Sequence, residues 1–100
     1  MDSKRKHQVT ALLRREISNL LFTYAQNEEL GLITLNELSV ADNMSSVKVW
    51  VSCTQNEDQL NEFLSQNIFS MQKELNKRLK KKVVPKIIFK QVKSILKDPE

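Results

Sequence analysis

Ten basic side chains fall between residues 73 and 97, namely Lys73, Lys77, Arg78, Lys80, Lys81, Lys82, Lys86, Lys90, Lys93 and Lys97, against the single acid Glu74. Five more (Lys4, Arg5, Lys6, Arg14 and Arg15) stand in residues 1–15 against Asp2. The chemistry open to such groups is neutralisation of phosphate. Each is a donor-only cation able to displace counterions from a nucleic-acid backbone. Residues 16–62, by contrast, hold eight acids and one cation, Lys48. A net charge of +4 over 100 residues is modest, but its segregation gives the field a direction. A positive face on a small domain most often meets phosphate. The bland alternative is a solvated charge run, and Lys80-Lys81-Lys82 would also complement the negative end of a helix.

Catalytic chemistry finds little support. His7 is the only histidine and lies in the basic N-terminal stretch. Cys53 has no sequence-local histidine to activate it, and a lone cysteine forms neither an internal disulfide nor a metal cluster. Glu28-Glu29 and Glu57-Asp58 are paired carboxylates, but each falls at a helix boundary where turn or cap roles suffice. A zinc ligand set is missing. A single glycine rules out Gly-rich phosphate loops and dinucleotide fingerprints. We therefore expect no enzyme, no metal, no cofactor and no small-molecule substrate. No apolar run approaches the roughly 18 residues of a membrane span, and the expected setting is a reducing cytoplasm.

The elements that must position these cations are organised around Gly31–Ser52, where two apolar-alternating runs flank the polar turn Asp42-Asn43-Met44-Ser45. In the second run Val47, Val49, Val51 and Cys53 share one face, and Lys48, Trp50 and Ser52 the other. In the first run Ile33 and Leu35 have one parity, Leu38 and Val40 the opposite one. A strict period of two cannot change parity, so a β-bulge is expected near Asn36-Glu37. Val9, Leu13, Ile17, Leu20, Leu21 and Tyr24 describe a helical face and predict a helix over about 4–25. Asn56, with Gln59 three residues on, predicts an N-cap and capping box. From there Leu60, Leu64, Ile68, Met71, Leu75 and Leu79 mark a helix of about 25 residues, with a candidate bend at Asn67. Val83-Val84-Pro85 ends it. Val83–Gln91 reads as a third strand, and Val92, Ile95 and Leu96 allow a short terminal turn before a frayed tail.

The expected fold is α+β, one domain over residues 1–100 with its ordered core at about 5–91. Its order is α-β-β-α(-α)-β, a three-stranded mixed sheet with helices packed on one face. The crossover should set the third strand parallel to the second. The open sheet face would carry Lys48 and Trp50 with Lys86 and Lys90. Trp50 there is a candidate for stacking on RNA bases, or is capped by a terminal segment.

This order resembles the ribosome-binding factor A family. The matching pieces are Arg15-Glu16-Ile17, Leu30-Gly31-Leu32-Ile33-Thr34-Leu35, Leu38-Ser39-Val40-Ala41-Asp42 and Val47-Lys48-Val49-Trp50-Val51-Ser52. They close with the run from Leu75 through the basic cluster and Val83-Val84-Pro85 to Phe89. The resemblance covers roughly residues 5–91. It implies a type II KH-like fold and a factor of bacterial ribosome biogenesis. Such a factor binds the free small (30S) ribosomal subunit, assists maturation of the 5′ end of its 16S ribosomal RNA, and matters most in the cold. Where the family has an Ala-x-Gly kink in its second helix, this chain has Asn67-Ile68-Phe69, a further candidate RNA contact.

Two readings follow. In the first, a monomer binds RNA, with Lys73, Lys77, Arg78, Lys80, Lys81, Lys82 and Lys86, helped by Lys4, Arg5, Arg14 and Arg15, on backbone phosphates. In the second, the acidic middle and basic ends make a protein-interaction module that self-associates or docks a partner.

Overall fold

The computed structural model describes residues 3–80 and 83–93. Its elements are α1 (Ser3–Tyr24), β1 (Ile33–Val40), β2 (Ser46–Cys53), a single 3-10 turn (Glu57–Gln59), α2 (Leu60–Leu79) and β3 (Lys86–Gln91). The strands form one mixed sheet in the order β1-β2-β3, with β2 antiparallel to β1 and parallel to β3.

Alternation decides which sheet face is covered. Val47, Val49 and Val51 are wholly buried and Cys53 nearly so, while Lys48 between them is exposed. Ile87 on β3 is buried and lies level with Val47. On β1 the register slips between Leu35 and Glu37, leaving Asn36 as the extra residue. That bulge lets Ile33 and Leu35 pair with Cys53 and Val51 while Leu38 and Val40 pair with Val49 and Val47. All four therefore face the core, as the parity change predicts.

The two helices supply the other side of that core. Leu13, Ile17, Leu20 and Leu21 from α1, and Leu60, Phe63, Leu64, Met71 and Leu75 from α2, join the strand residues in one buried cluster. Each fully buried aliphatic side chain contributes about 1.5–3 kcal/mol.

Three local expectations fail, for tertiary reasons. Asn56 does not cap a helix: it sits in the left-handed region at φ 53°, and its side-chain amide donates to the Glu29 carbonyl. With that amide engaged 27 residues away, the capping box with Gln59 does not form. The second helix is continuous over 20 residues rather than about 25, and Asn67 does not interrupt it. The Asn67 amide bonds back to the Phe63 carbonyl at 2.8 Å, inside the helix's own spacing. The third strand starts at Lys86, three residues after Val83, because pairing with β2 begins only where Lys86 meets Ser46. Pro85, buried, precedes it. The turn foreseen for Val92, Ile95 and Leu96 falls largely outside the described residues.

Candidate nucleic-acid interface

The basic segments lie at opposite ends of the chain, and three contacts bring their elements together. The Lys6 Nζ donates to Asp42 Oδ1 at 2.8 Å, tying the start of α1 to the hairpin turn. The Lys86 N–H donates to the Ser45 carbonyl at 3.0 Å, setting the start of β3 beside the same turn. Arg78 Nη1, in the last turn of α2, reaches Glu16 Oε1 on α1 at 3.4 Å. Lys4, Arg5 and Lys86 therefore stand beside the turn, while the Arg78 contact sets the end of α2, with Lys77 and Lys80, against the middle of α1. The turn is itself tightly made: Asn43 Oδ1 accepts from the Ser45 N–H and hydroxyl, and Ala41 N–H bonds Ser46 O.

Helix polarity separates the charges further. The first turn of α1 carries Lys4, Arg5 and Lys6 and no acid, although the positive helix end favours carboxylates there. Stability alone would select the opposite sign. In α2 the acids come first, with Glu62, and the cations last, with Lys77 and Arg78. At 1.5 Å rise per residue the two ends of α2 stand about 30 Å apart. Glu28, Glu29, Glu57 and Asp58 lie at the far end, where Asn56 joins Glu29 and where the Gln91 side chain meets the Glu57 carbonyl at 2.7 Å.

Lys73, Lys77 and Lys80 are exposed on the outward side of α2 and form no ion pair among the described residues. Phe69 lies on the same outer side one turn before Lys73, and 85% of its surface is exposed. A shallow depression there is lined by Phe69, Ser70, Gln72, Lys73 and Asn76. An exposed aromatic ring in line with three free ammonium groups can stack an unpaired base while they contact phosphates. Asn67 and Ile68, in contrast, are half-buried, the first by its bond to Phe63 and the second against the core.

The open sheet face forms a second cationic surface. Trp50 is half-buried there, level with Glu37 on β1 and Lys90 on β3, with Lys48 and Lys86 exposed nearby. Glu37 dilutes this face, and Trp50 offers less surface than Phe69. The cations foreseen as a single set are thus divided. Lys73, Lys77 and Lys80 face away from the sheet on the helical layer, while Lys86 and Lys90 line the sheet's uncovered side. Lys81 and Lys82 lie outside the described residues.

Two predicted cations have structural duties. Arg78 bridges Glu16 and Glu74, at 3.4 and 3.5 Å, and Arg15 lies 3.6 Å from Glu16. Lys4, Arg5 and Arg14 are exposed on α1. Gln72 is a positioning residue that periodicity did not flag. Its Nε2 donates to Pro85 O at 3.2 Å and its Oε1 accepts from the Ile87 N–H at 2.8 Å, clamping β3 and so fixing Lys86. Only the location of a free strand edge reveals that role.

Groups suited to covalent chemistry are not assembled. The Cys53 thiol is buried and donates to Gln55 O at 3.2 Å, and burial pushes its pKa up, away from the reactive thiolate. No cluster of three potential metal ligands occurs among the described residues. No described helix is long and apolar enough to cross a membrane.

Comparison with known proteins agrees with this architecture. A family model described as Ribosome-binding factor A matches residues 5–98. Ribosome-binding factor A of Prochlorococcus marinus is 32% identical over 93 residues, covering 88% of this chain and 72% of the relative. That of Desulfitobacterium hafniense is 28% identical over 98 residues, covering 95% and 78%. Among solved structures, ribosome-binding factor A from Thermus thermophilus superposes with a TM-score of 0.74 at 20% identity, covering 86% of this chain and 94% of that one. A Thermus thermophilus homology model fitted into the cryo-EM map of a 30S complex gives 0.72 at 19% identity, covering 83% and 90%.

Proposed function

The chain belongs to the ribosome-binding factor A family, and from that premise we propose that it is a non-catalytic assembly factor of the small ribosomal subunit. It binds the free 30S particle through its 16S RNA as a single KH-like domain and a monomer, and it assists maturation of the RNA's 5′ end. The observation that carries this reading is the packing of two sequence-distant basic segments against each other, the starts of α1 and β3 at the hairpin turn and the end of α2 against α1. Phosphate contacts by Lys73, Lys77, Lys80 and Lys86, with Lys4 and Arg5, set the orientation without reading sequence. Arg14 and Arg15, and Lys81 and Lys82 next to Lys80 in sequence, add further positive charge. Selectivity then comes from the shape of folded RNA and from a base stacked on Phe69, with Trp50 as the lesser platform. The Thermus thermophilus relative placed in a 30S complex supports this choice of partner.

Gradient sedimentation with purified subunits tests the proposal. The protein should travel with 30S particles at low salt and not with assembled ribosomes. If about six phosphates are contacted, affinity should fall roughly a thousandfold between 50 and 200 mM salt. Replacing Lys80, Lys81 and Lys82 by Gln should weaken association with little change in melting temperature. Failure to travel with 30S particles at any salt would overturn the reading. A salt-sensitive oligomer on gel filtration, with no RNA affinity, would favour a self-associating module instead.

A further inference from the structure

At the acidic end, two large apolar side chains lie open beside carboxylates, and the RNA reading uses neither. Phe22 on the last turn of α1 is 68% exposed, and Leu32 before β1 is 67% exposed. Together they line a pocket of about 570 Å³ whose rim holds Glu28 and Glu29. We infer that this pocket docks a basic protein segment that inserts one large apolar side chain between Phe22 and Leu32.

Charge complementarity selects that occupant. Among the described residues no lysine or arginine lines the pocket. The C-terminal end of α1 opens onto it with no basic residue in its last turn, so the negative helix pole adds to the two carboxylates. A cation supplied from outside completes both. The same potential repels phosphate, which excludes nucleic acid as the occupant. An apolar floor within a charged rim is the arrangement in which an anchor residue binds and the rim steers its approach.

The pocket is also preformed. The Leu32 N–H donates to Thr54 Oγ1 at 2.9 Å, the Thr54 N–H to Leu32 O at 3.2 Å, and the Gln55 N–H to Leu30 O at 3.0 Å. The Asn56 amide holds Glu29 O from the same side. Gly31, the chain's one glycine, turns between these braces at φ +72°, where a Cβ would collide with Thr54 Oγ1. A braced wall loses little freedom on binding.

The inference is independent of RNA binding at the other end. Its test is an amide NMR titration of the full chain with a short peptide in which one phenylalanine is flanked by lysines and arginines. Shifts should gather at residues 25–33 and 54–56. Affinity should fall about tenfold when the peptide's phenylalanine becomes alanine, and about as much in a Phe22→Ser/Leu32→Ser or Glu28→Gln/Glu29→Gln variant. Both pairs are at the surface, so unchanged spectra elsewhere will show that the fold is kept. Equal binding of the alanine peptide, or shifts spread over every acidic residue, would reduce the effect to bulk charge and overturn the inference. It would also be overturned if the same amides shifted with protein concentration alone, which makes a second copy the occupant. The same holds if they shift on deletion of residues 94–100, which makes it the chain's own end.

Discussion

Gln72 shows how an uncharged side chain can govern where a charged one stands. Its amide meets an acceptor just before β3 and a donor within it, so removing it leaves the partly buried Ile87 N–H without its partner. Such a loss costs about 1–3 kcal/mol. Gln72→Ala should lower unfolding free energy by that amount in urea titrations, whereas the exposed Lys73→Ala should hardly change it. Asp42 makes a second prediction at this scale. The Lys6 ammonium, first by its hydrogen bond and then by its charge, holds the exposed Asp42 carboxyl below the ordinary carboxylate value. A depressed carboxyl stabilises the fold above its unfolded pKa, and that contribution is lost as pH falls through the lower folded value. Carbon NMR titration should therefore place the Asp42 midpoint below that of a free aspartate. In Lys6→Gln it should return upward.

At the scale of elements, two devices set where the sheet and the second helix end. The Asn36 bulge lets both halves of β1 face the core. Deleting Asn36 would turn Ile33 and Leu35 to the open face and remove much of their burial, at about 3 kcal/mol. Melting temperature should drop accordingly, with the hairpin amides losing exchange protection first. Lys80 ends α2 in the left-handed region at φ 52°, its N–H bonded to Asn76 O at 3.2 Å. Glycine is the usual choice there, and a side chain costs about 1 kcal/mol. Lys80→Gly should therefore raise stability by up to about 1 kcal/mol while weakening 30S association. Equal or stronger association would remove Lys80 from the interface.

The whole molecule, with Cα extents of 47 × 27 × 17 Å, carries its charges unevenly. The hairpin turn gathers cations from residues 4–6 and 86, and the loops around Asn56 gather Glu28, Glu29, Glu57 and Asp58. This polarity gives a test that no single residue gives. If Lys73 and Lys77 each contact one phosphate, the double glutamine variant should lower the salt slope of RNA binding by about two. Lys86→Gln/Lys90→Gln, on the other layer, asks the same of the open sheet face. A slope unchanged by both pairs would remove both faces from the RNA interface. Neither pair should shift thermal unfolding appreciably, because all four side chains are exposed.

The alternation of β2, the parity change in β1 and the stripes of both helices were legible before any coordinates. Each is a covalent spacing that only one face can bury. Charge segregation along the chain was equally plain. Its meaning in space was not, because the joining of residues 4–6 to residues 77–86 depends on antiparallel β1, parallel β3 and the Lys6 contact to the turn. Local rules misplaced Asn56, whose amide found a distant carbonyl in place of a neighbouring N–H. They started β3 early because a strand begins where its partner does. Composition thus determined that the protein carries opposed charges and a core of this pattern. Strand pairing and the Lys6 contact to the turn decided where those charges meet, with Phe69 bare beside the cations of α2 and Phe22 bare among the acids.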